Sequence, residues 1–268
     1  MIHPTAIIHP NAKVGKNTKI GPYCIIGKDV KVGANCNLKS HVVVDGEVKI
    51  GDKTNIFSFV SIGSEPQDLK FKGEKTQIII GDNCKIREYC TINPGTEGGG
   101  GVTKVGDNCL LMVGTHIAHD CLISNNVIFA NHSTLAGHVN IEKNVVVGAL
   151  SAIHQFTRIG EGAMIGGMSG ITGDVPPFCT AMGNRAKLNG LNIVGLKRNE
   201  ISKVEISELR KVYNFIFISK KLTFKNRVKE IEEKKNIFCR ASPFAASRQT
   251  VEPVRGGPHG AGRGRPAG

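Results

Sequence analysis

A six-residue repeat of aliphatic side chains runs through most of this sequence. It keeps one phase from Ile8 to Ile92 and a phase one residue later from Val105 to Ile171, with two gaps. All 25 repeat positions hold Ile, Val, Leu or Phe, and Gly often follows them. A step of six fits neither the period of an α-helix nor that of a flat strand. Each hexad is therefore predicted to form a short strand and a tight turn.

Three hexads, or 18 residues, would close one triangular coil. Stacked coils pair their strands about 4.8 Å apart, so we expect about eight coils in a prism about 40 Å tall. A parallel β-helix over residues 1–176 follows, in which each coil packs only on its neighbours.

Most of the cysteines support this register. Six of the eight lie four residues after a repeat aliphatic, in a slot that elsewhere holds Ala, Ser, Thr or Val: Cys24, Cys36, Cys84, Cys90, Cys109 and Cys121. We expect them to be small buried side chains. Zinc-type CxxC clustering is absent, and disulfides are not expected in a cytosolic chain.

Two insertions interrupt the coil, at residues 63–79 and 93–104. Loops that leave a rigid scaffold often carry function. The first contains a polar cluster of Gln67, Asp68 and Lys70. The second contains the run 98–101 of four glycines, which we expect to be flexible and unable to hold a site by itself.

The C-terminal third differs in composition from the coil. Residues 177–238 are predicted to be a linker and an α-helical subdomain, with Ser202 and Ser207 as candidate caps. Residues 239–268, rich in Arg, Gly, Ala and Pro, are expected to be disordered or a non-native tail, from a frameshift, a fusion or a vector.

The net charge of +13 is concentrated in this third, because residues 1–195 carry 18 basic and 15 acidic side chains. A solvated helical face or a docking surface for an acidic partner would explain it. Nucleic acid is not favoured, since no aromatic residues are interleaved with the basic ones. No leader and no membrane-spanning segment are recognised, so a cytoplasmic protein without stable membrane insertion is expected.

Several histidines fall 18 residues apart, and such positions lie above one another in the predicted coil. His119 lies below Gly137, which precedes His138, and two coils below Gln155. His154 and His116 flank this column. The column could bind a metal or supply a general base with substrate contacts. The neighbour Asp120 could orient a base, but alternation along a strand would point it to the opposite face.

The amide of Gly137 could stabilise an oxyanion. No serine-nucleophile motif is present, which favours direct transfer from a bound donor over a covalent enzyme intermediate.

Seven short motifs form a specific combination over about residues 1–235. They are Leu38–Val44 (LKSHVVV), Gln67–Lys70 (QDLK), Leu111–Met112 followed by His116–Cys121 (HIAHDC), Thr134–Val139 (TLAGHV), His154–Phe156 (HQF), Asp174–Pro177 (DVPP) and Gly195–Arg198 (GLKR). Together they resemble the acyl-carrier-protein:UDP-N-acetylglucosamine O-acyltransferases that begin lipid A biosynthesis in Gram-negative bacteria.

The resemblance implies a left-handed coil, a homotrimer with each site between two chains, no metal and no organic cofactor. It implies transfer of an (R)-3-hydroxyacyl chain from acyl carrier protein to the 3-hydroxyl of UDP-N-acetylglucosamine, with His119 as general base. The first inserted loop would act across an interface. Substrate contacts are implied for Gln67, Asp68, Lys70, His116, Gly137, His138, His154, Gln155, Asn192 and Arg198.

The resemblance also places an acyl-chain groove at Met164, Gly167 and Arg185. Gly167 would leave the groove open to a longer chain. The sequence departs from the family pattern at Asn93 and Arg185, where histidine is common, and at Asn199, where arginine is frequent. These departures bear on nucleotide affinity and chain length rather than on the reaction.

Three other interpretations remain. A γ-type carbonic anhydrase shares the coil and binds zinc. A related sugar N-acyltransferase or acetyltransferase shares the coil and the base. A non-enzymatic scaffold would not depend on His119.

Overall fold

The computed structural model describes residues 1–219 and 222–233. The hexads form short strands that stack in three faces of a left-handed parallel β-helix. Face A contains β3 (Lys19–Ile20), β6 (Asn37–Leu38), β9 (Asn55–Ile56), β12 (Lys85–Ile86), β15 (Leu110–Leu111), β18 (Ile128–Phe129), β21 (Val146–Val147), β24 (Met164–Ile165), β26 (Cys179–Met182) and β27 (Lys187–Leu191).

Face B contains β1 (Ile7–Ile8), β4 (Ile25–Ile26), β7 (Val43–Val44), β10 (Ser61–Ile62), β13 (Thr91–Ile92), β16 (His116–Ile117), β19 (Thr134–Leu135), β22 (Ala152–Ile153) and β25 (Gly170–Ile171). Face C contains β2 (Lys13–Val14), β5 (Lys31–Val32), β8 (Glu47–Ile50), β11 (Gln77–Ile80), β14 (Val102–Val105), β17 (Leu122–Ile123), β20 (Asn140–Ile141) and β23 (Arg158–Ile159).

The core is the column of repeat aliphatics inside the prism. Each ends one of the strands β1 to β25, and all of them except Ile8 and Val14 are buried. The preceding residue in each strand points outward, because alternate residues face opposite sides of a strand. The hexad period predicted from the sequence is confirmed.

The turns between faces rely on residues in the left-handed backbone region. At the corner from face C to face A this residue is usually asparagine, as at Asn108, Asn126 and Asn144 with φ of 56°, 60° and 61°. Asparagine tolerates this region better than other side chains with a Cβ. The corners therefore repeat in sequence as well as in space.

The cysteine slot is internal, as predicted. All six predicted cysteines are buried and free, and Cys36 Sγ donates to the carbonyl of Gly51 in the next coil at 3.1 Å. Burial raises the pKa of Cys90 to about 11 and that of Cys121 to about 12. Cys90 and Cys121 are therefore neutral thiols that fill space between coils.

Both insertions are shorter than the interrupted repeat suggested. Residues 77–79 belong to β11 and residues 102–104 to β14, where they pair in face C. The loops are therefore 63–76 and 93–101, and the second contains a 3₁₀ turn, Glu97–Gly99.

Face A continues past residue 176, where the sequence repeat ends. β26 pairs parallel with β24, and β27 then pairs antiparallel with β26. The helices follow: α1 (Ile193–Arg198), α2 (Lys203–Tyr213), a π-helical turn (Asn214–Ile218) and α3 (Phe224–Glu233).

Ser202 caps α2 in a capping box with Glu205, as predicted. The second candidate cap was wrong: Ser207 lies inside α2, because the helix starts earlier and runs through it. Among residues 1–219 and 222–233, no helix combines the length and apolar character needed to cross a membrane. The expected tail, residues 239–268, lies outside the described residues.

Candidate active site

One corner of the prism, between faces B and C, holds the predicted histidine column. We call it the histidine edge; three successive coils contribute His119–Asp120, Gly137–His138 and Gln155–Phe156. The backbone joins them, since the amide of His138 donates to the carbonyl of His119 at 3.0 Å. The 18-residue step therefore places these residues in the order that the sequence suggests.

His119 and Asp120 form a hydrogen-bonded pair. His119 Nδ1 lies 2.8 Å from Asp120 Oδ2, and the side chain of Asp120 is 1% exposed. The expectation that Asp120 would point away was wrong. Asp120 is a corner residue with φ of 58°, so the alternation of a strand does not apply to it.

Asp120 is held by hydrogen bonds to the second inserted loop and to β14. Its carboxylate accepts hydrogen bonds from the amide and the hydroxyl of Thr96, and its own amide donates to Thr103 Oγ1 at 2.8 Å. The second loop thus contributes to the site through Thr96, a residue outside the glycine run 98–101. Neither threonine was identified from the sequence, because the insertion breaks the step of 18.

Gly137 lies directly against the imidazole of His119. A Cβ atom at this position would lie 2.4 Å from His119 Cε1 and 2.6 Å from Nε2. Only glycine therefore lets the ring adopt this position. Among the described residues, no protein acceptor pairs with the Gly137 amide.

His138 stands between His119 and an aromatic ring. It stacks on Phe156 at 4.4 Å between ring centroids and meets His119 edge-on at 5.0 Å. Burial lowers the pKa of His138, and the charges of Asp120 and Asp68 partly oppose this shift.

His116 lies in the same coil as the His119–Asp120 pair, on the preceding strand β16. Its Nδ1 is 2.7 Å from Thr91 Oγ1 of the preceding coil. Burial, with a smaller contribution from His119, lowers the pKa of His116. The ring is therefore neutral at neutral pH.

The remaining candidates on this side are more accessible. His154 and Gln155 are exposed, as are Gln67 and Lys70 on the first loop. Asp68 is half-buried and accepts a hydrogen bond from the Lys70 amide at 3.0 Å, which closes a local turn.

Asn93 joins the two loops. It is 4% exposed, and its Nδ2 donates to the carbonyl of Ser64 at 3.1 Å, while its Oδ1 has no partner among residues 1–219 and 222–233.

The predicted acyl-groove residues lie elsewhere on the chain. Met164 points outward from β24 on face A, Gly167 is at the corner from face A to face B, and Arg185 is in the exposed turn between β26 and β27. One chain therefore does not bring them to the histidine edge.

Asn192 and Arg198 flank α1. Asn192 Oδ1 caps the helix at Gly195 and its Nδ2 donates to Gly162, so its amide already serves the fold. Arg198 is exposed at the end of the helix.

His119, Asp120 and His138 could also be considered as metal ligands, since their ligand atoms lie within 4.8 Å of one another. The Asp120 oxygens, however, already accept hydrogen bonds from Thr96 and His119. The hydrogen bonds of Asp120 therefore orient the His119 imidazole, and an oriented imidazole suits proton transfer.

Family models match three parts of the chain. Residues 174–250 match "Udp N-acetylglucosamine O-acyltransferase; Domain 2", residues 103–137 match "Bacterial transferase hexapeptide (six repeats)", and residues 2–70 match "GMPPB C-terminal domain". The first match begins where the coil ends and includes α1 to α3.

Curated relatives named acyl-[acyl-carrier-protein]–UDP-N-acetylglucosamine O-acyltransferase are similar over most of the chain. The protein of Nautilia profundicola is 56% identical over 64% of this chain and 66% of its own length, just under two thirds. That of Aliarcobacter butzleri is 55% identical over 81% of this chain and 83% of its own.

A solved structure of UDP-N-acetylglucosamine acyltransferase superposes with a TM-score of 0.91 at 40% identity, covering 95% of this chain and all of its own. That of the Campylobacter jejuni enzyme gives 0.89 at 38% identity, with 95% and 100% covered. Such identity over nearly the whole length, with the same coil and helical extension, places this chain in the acyl-[acyl-carrier-protein]–UDP-N-acetylglucosamine O-acyltransferase family.

Proposed function

We propose that this acyltransferase moves an (R)-3-hydroxyacyl chain from acyl carrier protein to the 3-hydroxyl of UDP-N-acetylglucosamine, the first step of lipid A biosynthesis, with His119 as general base. The observation that carries the proposal is the His119–Asp120 pair set against Gly137. It offers an oriented imidazole nitrogen and a free backbone amide within one small space.

The reaction can be derived from this geometry. Because Nδ1 of His119 is engaged by Asp120, Nε2 is the nitrogen left to accept the proton of the sugar hydroxyl. The resulting alkoxide attacks the thioester carbonyl. The Gly137 amide is available to donate to the oxyanion. Collapse of the intermediate breaks the C–S bond, and the proton on Nε2 passes to the departing thiolate.

Neutral histidines beside the base suit substrate contacts. Lowered pKa values keep His116 and His138 uncharged, so they do not repel the imidazolium that forms on His119. We assign the sugar and the pantetheine to these rings together with Gln67, Asp68, Lys70, His154 and Gln155. Asn192 and Arg198 are assigned to the nucleotide, Arg198 through its exposed charge.

The protein is further proposed to be a homotrimer with each site between two chains. Two observations support this. The acyl-groove residues and the histidine edge lie on different sides of one chain. In three successive coils of face A, on β15, β18 and β21, the outward side chains are apolar: Leu110, Ile128 and Val146. A second chain would cover that face.

The acidic acyl carrier protein is the proposed donor partner. Exposed basic side chains such as Lys203 and Arg210 on α2 offer it a complementary surface. The seven described cysteines are free and buried, which suits the cytoplasm as the proposed compartment.

Gly167 is proposed to leave the acyl groove open to a chain longer than ten carbons. The position is exposed, and within the described residues an added Cβ would approach only the Ala149 backbone, its carbonyl oxygen at 3.3 Å and its amide nitrogen at 3.8 Å. A ladder of hydroxyacyl carrier proteins tests this, and a clear preference for ten carbons would contradict it.

The reaction is tested by mass spectrometry with purified protein, UDP-N-acetylglucosamine and hydroxyacyl carrier proteins. Wild type should form acylated nucleotide sugar and His119→Ala should lose at least about 100-fold in rate, the scale of a lost general base. His132→Ala is the matched control, because His132 is exposed on another corner. Equal rates for both variants, or no product from folded wild type, would refute the proposal.

A further inference from the structure

The inserted loop 93–101 closes over the carboxylate of Asp120, and its glycines are not equivalent. A Cβ at Gly99 would lie 2.0 Å from Asp120 Cγ, whereas a Cβ at Gly98 would meet nothing within 4 Å. Neither glycine has positive φ, so alanine suits the backbone at both. Residue 99 must therefore be glycine, because Asp120 approaches it too closely for a Cβ atom. Residue 98 has room for a side chain, because no atom lies near its Cβ position.

Thr96 supplies the hydrogen bonds of this contact. Its hydroxyl donates to Asp120 Oδ2 at 2.7 Å, and its amide lies 2.9 Å from Oδ1. The amides of Gly99 and Gly101 donate to the Thr96 carbonyl at 3.0 and 2.8 Å, which fixes the turn that presents these donors. Thr96 itself is 5% exposed.

Neutral groups thus hold the charge of Asp120. Within the described part of the chain, its only ion-pair partners are the imidazoles of His119 and His138. A carboxylate fixed by neutral donors keeps its orientation and its remaining lone pairs for the imidazole, as an orienting group requires.

We infer that the loop 93–101 is a positioning element for the base: Thr96 and Gly99 hold the Asp120 carboxylate so that it keeps the proton of His119 on Nδ1 and leaves Nε2 free. Thr96 and Gly99 are positioning residues, since they act through Asp120. The inference rests on the proposed function for its catalytic consequence, but its structural consequence can be measured without substrate.

The first test compares Gly99→Ala with Gly98→Ala in the full chain. Gly99→Ala should lower kcat by on the order of 100-fold with little change in KM, because a displaced carboxylate no longer orients the base. Gly98→Ala should stay within about twofold of wild type, as expected for an exposed position. Equal kcat for the two variants, with equal thermal stability, would overturn the inference.

A second pair separates the hydroxyl from the fold. Thr96→Val keeps the shape and removes the donor to Asp120, so kcat should fall about tenfold. Thr96→Ser restores the hydroxyl and should recover most of that loss. A Thr96→Ser variant as slow as Thr96→Val would contradict the role of this hydrogen bond.

Nitrogen-15 NMR of the histidine ring gives the independent readout. Wild type and Gly98→Ala should show the His119 proton on Nδ1, while Gly99→Ala should show a mixture of tautomers. An unchanged tautomer in Gly99→Ala would refute the positioning role. If wild type catalyses no acyl transfer but the tautomer shifts as expected, the proposed function fails and the positioning role stands.

Discussion

Asp120 occupies a corner rather than a strand, and this decides what its carboxylate can reach. The left-handed φ of 58° turns the side chain back toward His119 and under the loop that carries Thr96. A carboxylate there has only acceptors to offer, which matches three donors around it. An amide in the same place would put an N–H against one of those donors.

Asp120→Asn should therefore impair catalysis while the β-helix stays folded. The amide would face either Thr96 or His119 with the wrong group, so we expect kcat to fall by on the order of 1,000-fold or more, the scale of the loss when the carboxylate that orients a histidine base becomes an amide. Asp52→Asn is the control, because Asp52 is exposed on another corner and its Oδ1 can still accept from Ala34. Steady-state kinetics of both variants makes the comparison, and similar rates would contradict it.

Burial of His116 should make the fold sensitive to acid. Its folded-state pKa is lowered below the ordinary value of 6.5, so the unfolded chain binds a proton more readily than the folded one. Stability is then fully present above that ordinary value and falls as the pH drops through it toward the folded-state pKa.

His116→Gln removes this difference while keeping a partner for Thr91. Urea unfolding at about pH 7 and about pH 5.5, on either side of the unperturbed histidine pKa, should show a smaller loss of stability in the variant than in wild type. An equal loss in both proteins would mean that His116 does not contribute.

The histidine column could be predicted because all its members belong to uninterrupted hexads, where a step of 18 means stacking. The roles of Thr96 and Asp120 could not. Thr96 lies in an insertion whose path no period describes, and the orientation of Asp120 depends on a corner φ rather than on strand alternation.

Corners are the elements that convert the hexad into a coil. The asparagines at the corner from face C to face A adopt left-handed φ without a following glycine. The adjacent aspartates bind the preceding coil, as where Asp82 Oδ1 accepts from the Asp52 amide at 2.7 Å. Each corner thus combines a backbone preference with a hydrogen bond between coils.

Substitution at one corner should reveal the backbone preference. Asn126 has φ of 60° and is exposed, so Asn126→Val should lower the free energy of unfolding by about 1–2 kcal/mol, the cost of a branched side chain in this region. Asn126→Gly should cost nearly nothing, because glycine has no Cβ. Asn140→Val, at an exposed strand position, serves as the control. Chemical denaturation measures all three, and equal effects at 126 and 140 would contradict the argument.

The strands of the coil could be predicted because each hexad repeats the same pattern of one inward aliphatic side chain followed by a tight turn. The residue at which the coil ends was harder to predict. β26 continues face A after Pro177 without a hexad aliphatic, and β27 reverses direction to pair with it. Where the repeat stops, tertiary contacts rather than periodicity set the boundaries.

At the scale of the whole molecule, the two ends of the prism are unlike. Ile8 and Val14 in the first coil are only half-buried, because no coil lies beneath them. The opposite end is covered by the β26–β27 hairpin and by the buried side chains of α2, such as Leu209 and Val212. In a solenoid, whose repeats contact only their neighbours, the uncovered end should be the less stable one.

The same substitution at two levels of the coil tests this difference. Val14 and Val147 both end a repeat strand, but Val147 is 0% exposed and packs between coils on both sides, whereas Val14 is half-buried. Val147→Ala should lower the free energy of unfolding by about 2 kcal/mol, since it leaves a cavity between rigid neighbours. Val14→Ala should cost well under half as much, because the end coil can relax and water already reaches it. Denaturant unfolding of both variants gives the comparison. Equal losses would mean that the first coil is packed as tightly as the centre. Stability would then be uniform along the prism rather than set by the contacts of each coil with its neighbours.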